Sequence, residues 1–173
     1  MKSIQLALIG VLLAVGFVLH AVIPGILGSM KIDMLLTMMF LAIILFPDKK
    51  SVGVTALATG VISALTTSFP GGQLANLIDK PVTAFVIFAL YMSLKKYHGT
   101  VILAASLTAV GTLISGAIFL SAAAILTSLP APFIALFVTV VLPTAVVNTI
   151  AMTVLFPIMQ TITKRSTFNY QTQ

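Results

Sequence analysis

Two acid–base pairs stand out in a chain of which only 7% is charged: Lys31 with Asp33, and Asp79 with Lys80. Lysines, aspartates and nearby helix N-termini suit a ligand that carries both a carboxylate and an ammonium, and amino acids are the simplest such ligands. Taken singly, each pair reads equally well as a salt bridge at the edge of an apolar segment. Between the pairs runs the densest polar stretch of the chain, Thr66-Thr67-Ser68-Phe69-Pro70-Gly71-Gly72-Gln73, followed by Asn76. Pro70-Gly71-Gly72 signals a turn, since glycine supplies backbone angles that other residues resist. Leu74, Ala75, Leu77 and Ile78 lie among these polar residues, as expected of a loop that folds back into the protein rather than a solvated connector. Lys31, Asp33, Phe69, Gln73, Asn76, Asp79 and Lys80 are therefore the candidate ligand contacts, with Pro70, Gly71 and Gly72 as a lid or hinge. Asn148 joins them. It falls near the middle of a long apolar segment, where an amide facing lipid is costly, and it serves equally as glue between helices or as a ligand contact.

Other chemistries lack their residues. The chain has two distant histidines, no glutamate and no cysteine, so no His/Glu cluster at metal-ligand spacing exists and no thiol chemistry arises. No Gly-x-Ser-x-Gly elbow or phosphate-binding glycine loop is present, so neither a catalytic site, a metal nor a cofactor is expected. The net charge of +6 resides in short clusters between apolar runs, with no basic helix face of the kind that binds nucleic acid.

The elements that position these residues follow from composition. With 60% hydrophobic and 7% charged residues, 173 residues cannot cover a soluble surface, and the chain is expected to be a single all-α domain embedded in the lipid bilayer. Apolar spans are predicted near 4–22, 34–46, 52–69, 82–94, 101–126 and 134–162. The first resembles a signal peptide but lacks a cleavage site and is expected to remain. The spans near 34–46 and 82–94 are shorter than the roughly 20 residues that cross a bilayer. If all six cross, Lys2, Lys49, Lys50, Lys95, Lys96, Lys164 and Arg165 fall on one side and only Lys31 and Lys80 on the other, which places both termini in the cytoplasm of a multi-pass plasma-membrane protein. Asp33 can N-cap the second helix, and Pro81 suits the first position of the fourth. Both outer ends would then stop short of the surface and leave an outward-facing bowl.

Small residues mark where helices approach closely. Gly53, Ala56, Gly60, Ser63 and Thr67 form one stripe and Thr108, Gly111, Thr112, Ser115 and Gly116 another, both assigned to the interior. Gly10 and Ala14 form a third pair that could face a partner protein. Pro143 interrupts a backbone hydrogen bond just before Asn148. His20, near the outer end of the first helix, reads equally as structural or ligand-facing, and His98 as a cytoplasmic loop residue.

Several stretches together resemble the bacterial tryptophan transport proteins of the TrpP type. They are His20-Ala21-Val22-Ile23-Pro24-Gly25, Met30-Lys31-Ile32-Asp33-Met34, Met38-Met39-Phe40-Leu41, Ile62-Ser63-Ala64-Leu65-Thr66-Thr67, Phe69-Pro70-Gly71-Gly72-Gln73, Asn76-Leu77-Ile78-Asp79-Lys80-Pro81, and Val141-Leu142-Pro143 with Asn148-Thr149-Ile150. The resemblance implies uptake of L-tryptophan by a protein whose size and six-helix plan are similar to those of substrate-binding S components of energy-coupling-factor transporters. In those assemblies the first helix packs on a transmembrane coupling subunit served by ATPases, a role open to Gly10 and Ala14, although Gly-x-x-x-Ala departs from the usual double-alanine spacing. On this reading the substrate carboxylate meets Lys31 or Lys80, its ammonium meets Asp33 or Asp79, its ring stacks on Phe69 or Phe40, and Gln73, Asn76 or Asn148 accepts the indole N–H. An S component for a vitamin or another amino acid, and a non-transporting membrane assembly protein, are the alternatives.

Overall fold

The computed structural model describes residues 3–22 and 31–171. Lys2 and residues 23–30 of the resembling stretches lie outside them, as do the side chains of Lys164 and Arg165. The described residues are helical with no strand: α1 (Ser3–Val22), α2 (Met34–Leu45), α3 (Lys49–Thr66), α4 (Gly72–Ser93), α5 (Val101–Leu126), and a last rod built from α6 (Phe133–Leu136), a π-helical segment (Phe137–Val141) and α7 (Leu142–Gln171). Four of these, α1, α4, α5 and the rod over Phe133–Thr163, are long and apolar enough to cross a membrane.

The centre of the bundle is α2. Every residue from Leu35 to Ile44 is buried, so the helix is apolar on all faces, and α1, α3, α4, α5 and α7 surround it. Such all-round hydrophobicity is what a helix needs when no face meets a polar environment. At 12 residues it rises only about 18 Å, so it starts well inside the assembly. Its start is fixed by Asp33, whose Oδ1 accepts the Leu36 N–H at 3.0 Å, as its position before an apolar run predicts. Asp48 caps α3 in the same way, accepting the Ser51 N–H at 3.0 Å, and Thr100 caps α5.

Small residues set the approach of the surrounding helices. A Cβ on Gly16 would lie within 3.0 Å of Leu35 and Met38, and one on Gly111 within 3.0 Å of Phe40 and Ile87, so α1 and α5 touch α2 through glycine. The stripes on α3 and α5 face inward: Ala56, Gly60, Ser63, Thr108, Gly111, Thr112 and Ser115 are all buried. Gly10 and Ala14 lie on the exposed face of α1, and nothing approaches within 4 Å of a Cβ placed on Gly10.

The fourth helix differs from expectation. It begins at Gly72 rather than near Val82 and runs 22 residues, so it is not short, and Pro81 lies within it rather than at its first turn. Residues 67–71 of the polar stretch do form the expected turn, but from Gly72 onward the stretch is an inside-out amphipathic helix. Asn76, Asp79, Lys80 and Thr83 share the buried face, while Leu74, Leu77, Ile78 and Val82 are exposed. Polarity reports a loop only when the surroundings are water. In an apolar setting, polar residues at three- and four-residue spacing point to the interior of a helix. The Pro81 ring packs beside Gly60 of α3, where a Cβ would stand 3.5 Å from the proline Cδ.

The π segment of the last rod lies next to Pro143. Leu142 N–H donates to Phe137 O, five residues back. Proline offers no N–H to the ladder, and a widened turn accommodates its ring. Val141 in this turn packs directly over Gly116 of α5, where any side chain would collide with it.

Candidate functional site

A cavity of about 610 Å³, counting its open mouth, lies at the N-terminal end of α2. One wall carries charge: His20 closing α1, Lys31 and Asp33 leading into α2, and Lys80 on α4. The other is apolar and aromatic, with Phe69, Phe119, Val140 and Val141, and the two phenyl rings meet edge to face at 5.4 Å between centroids. Thr67, Ser68, Asn76, Thr112, Ser115 and Thr144 supply hydroxyl and amide groups around the rim and floor.

The charged groups form one connected cluster. Lys80 Nζ lies 2.6 Å from Asp33 Oδ2 and 2.9 Å from Asp79 Oδ2. Asp79 has no exposed side-chain surface and is held from behind, its Oδ2 accepting from Ser115 Oγ at 2.7 Å and its Oδ1 from Thr83 Oγ1 at 2.8 Å. His20 Nδ1 approaches Asp33 Oδ1 at 3.5 Å. Asp33 retains 17% of its side-chain surface, so it is the acid a ligand can reach, whereas Asp79 lies behind Lys80. Lys31 lines the same cavity and makes no ion pair among the described residues. Charges buried this deeply persist only when paired, and Lys80 and Asp79 satisfy that rule with four short polar contacts.

Not every residue chosen from sequence reaches the cavity. Lys31, Asp33, Phe69, Asn76 and Lys80 line it. Gln73 projects from the exposed side of α4. Phe40 is buried in the core beneath, against Gly111. Asn148 is fully buried but does not line the cavity. Its Nδ2 donates to the backbone O of Asp33 at 3.1 Å and to Thr112 Oγ1 at 3.3 Å, so it ties α7 to the start of α2 and to α5. Pro70, Gly71 and Gly72 form the turn between α3 and α4. Gly71 adopts φ +72°, a conformation glycine supplies cheaply, and packs against Thr127 at the end of α5. His98 is more than a loop residue, since its ring stacks on Tyr91 at 3.9 Å and its Nε2 lies 2.7 Å from Tyr91 O.

Residues that sequence reasoning missed come mainly from α5 and the last rod. Thr112, Ser115 and Gly116 read as packing residues, and they do pack, but the same stripe ends at the cavity floor. Phe119, one turn beyond Ser115, was detectable as the aromatic that continues this stripe. Val140, Val141 and Thr144 carried no polar pattern, because the π turn that aims them inward follows from Pro143 and not from periodicity.

Comparison with known proteins settles the family. The model of the family described as "Tryptophan transporter TrpP" matches residues 2–164. The chain belongs to the TrpP family. A "Probable tryptophan transport protein" of Bacillus subtilis (strain 168) is 51% identical over 168 residues, covering 97% of each chain. Proteins of the same name from Clostridium acetobutylicum and Clostridium perfringens (strain 13 / Type A) are 44% and 39% identical, covering 83% and 90% of this chain and 84% and 90% of their own lengths. No solved structure matches. Membership of TrpP, together with the apolar helices, makes this a membrane protein of tryptophan transport, and it assigns the chain to transport rather than catalysis.

Proposed function

We propose that the protein takes up L-tryptophan through the plasma membrane, binding it from outside in the cavity above α2. Support comes first from charge balance. In the cluster Lys80 serves two aspartates, while Lys31 has no ion-pair partner among the described residues. A zwitterion resolves the mismatch: its carboxylate meets Lys31, its ammonium takes Asp33, and Lys80 stays with Asp79. Every charge is then paired, which a purely anionic, cationic or neutral ligand does not achieve. Asp33 already occupies the Leu36 N–H at the start of α2, which leaves Lys31 as the charged partner for the carboxylate. The Phe69 and Phe119 rings offer the apolar wall an indole needs.

Topology completes the proposal. All six helices span, α2 and α3 within the shelter of the other four, and both termini are cytoplasmic, so the lysines at 49, 50, 95 and 96 lie inside and the cavity opens outward. The Pro70–Gly72 turn acts as the lid, because it carries Phe69 into the cavity and rests on Thr127. Gly10 and Ala14 on the exposed face of α1 suit close approach of an energy-coupling membrane subunit, as in S components.

Purified protein in liposomes preloaded with unlabelled L-tryptophan tests the proposal by counterflow. Accumulation of labelled L-tryptophan above equilibrium, abolished by Asp33→Asn, is expected. Bound tryptophan without exchange would show that translocation needs a further subunit, and neither binding nor exchange would overturn the assignment.

A further inference from the structure

Asn76 is the one side-chain amide on the cavity wall among the described residues, and its orientation is fixed. Its Nδ2 donates to Gly72 O at 3.0 Å and, more weakly, to Ser63 O at 3.5 Å. Only an NH₂ group can satisfy two carbonyls, so the amide cannot be flipped, and Oδ1 is left as an acceptor that no group among the described residues uses. The residue is 6% exposed, and what exposure it has faces the cavity. Oδ1 is thus open to the cavity, where a ligand N–H can donate to it and a ligand without one would bury it unpaired.

Its neighbours define what that donor belongs to. Gly72, whose carbonyl anchors the amide, packs beside both phenylalanines: a Cβ there would stand 3.1 Å from Phe69 Cβ and 3.3 Å from Phe119 Cζ. Lys80 follows Asn76 by four residues, one turn and about 6 Å along α4, so a single amino-acid-sized ligand reaches both Asn76 and the charged cluster. Among the other polar groups on the wall, three hydroxyls already donate within the protein, and His20 Nδ1, which has no hydrogen-bond partner, belongs to the charged wall 3.5 Å from Asp33 Oδ1, so Asn76 Oδ1 is the acceptor beside the aromatic rings that carries no proton of its own. Thr112 Oγ1 donates to Thr108 O and accepts from Asn148, Ser115 donates to Asp79, and Thr144 donates to Val140 O. We propose that Asn76 Oδ1 reads the ring N–H of the substrate and is the residue that distinguishes an indole from ring systems of the same size without a donor. This rests on the reading of the cavity as a tryptophan site.

Competition binding to the purified protein tests it with L-tryptophan and its benzothienyl analogue, in which sulfur replaces the ring N–H at nearly equal size. Wild-type protein should prefer tryptophan by about tenfold or more, the loss expected when a buried acceptor goes unpaired. Asn76→Leu should bring the two affinities close together, chiefly by weakening tryptophan, and Asn76→Ser should fall between. A purely structural role for Asn76 would weaken both ligands equally. Equal binding of the two ligands by the wild-type protein overturns the inference without a variant having to fold, as does a preference that survives in Asn76→Leu. If tryptophan itself fails to bind, the reading of the cavity falls with it, which is a separate outcome.

Discussion

Asp33 performs two tasks that a single substitution separates. Its Oδ1 caps α2 and its Oδ2 faces Lys80 and the cavity. Asparagine caps a helix about as well as aspartate, so Asp33→Asn preserves the start of α2. Lys80 keeps Asp79 at 2.9 Å, so the buried ammonium is not orphaned. What disappears is the negative charge offered to the substrate ammonium. Hydrogen bonds to charged groups contribute about 1.5–3 kcal/mol, and 1.4 kcal/mol is tenfold in affinity, so the tryptophan Kd should rise roughly 10- to 150-fold. Thermal stability in detergent should change little. Asp79→Asn should show the reverse emphasis. Breaking a buried pair costs about 3–5 kcal/mol, reduced here because Lys80 retains Asp33, so its main signature is a lowered unfolding temperature. Titration calorimetry and a melting curve on the two variants, side by side, give both readouts. A stable Asp33→Asn protein with unchanged affinity would refute the assignment of Asp33 to the ammonium, and an Asp79→Asn protein of wild-type stability would refute the dependence of Lys80 on it.

Further consequences follow from the same geometry. Lys31→Gln should weaken tryptophan about tenfold while leaving tryptamine, which lacks the carboxylate, unaffected, as competition binding would show. Gly71→Ala should lower stability by about 1–2 kcal/mol or more, because φ +72° is strained for an L side chain and Thr127 occupies the Cβ position, an effect visible in thermal melts. Gly116→Ala should push Val141 out of the π turn at a cost of about 1–3 kcal/mol and narrow the cavity, lowering affinity and stability together. Since the chain has no cysteine, single cysteines at positions 49, 73 and 96 report topology directly: an impermeant thiol reagent on intact cells should label position 73 and spare the other two.

Much of the site was legible because buried charge is rare in such a chain. Lys31, Asp33, Asp79 and Lys80 announce themselves by type alone, and the cap at Asp33 follows from its place before an apolar run. The short, fully buried α2 was likewise visible as an apolar run with no polar face. The start of α4 was not, because Gly72–Lys80 was read by its polarity rather than its period. Asn76, Asp79, Lys80 and Thr83 repeat at helical spacing, and Leu74, Leu77 and Ile78 fill the opposite face, so the signal was present with its sense inverted by the apolar surroundings. Asn148 illustrates a different limit: its inward direction follows from cost, but only packing decides that it holds Asp33 O and Thr112 instead of facing the cavity. Val140 and Val141 enter the cavity through the π turn, and no periodicity argument locates a one-residue change of register.

Equilibrium binding of L-tryptophan to the purified protein bears most directly on the function. The chain contains no tryptophan, so fluorescence excited beyond the tyrosine absorption comes from the ligand alone. A saturable blue shift of the ligand's emission, competed by few other amino acids and moved to higher ligand concentration in Asp33→Asn, is the expected result. Folded protein that leaves the emission unchanged across the titration would contradict a tryptophan site in this cavity.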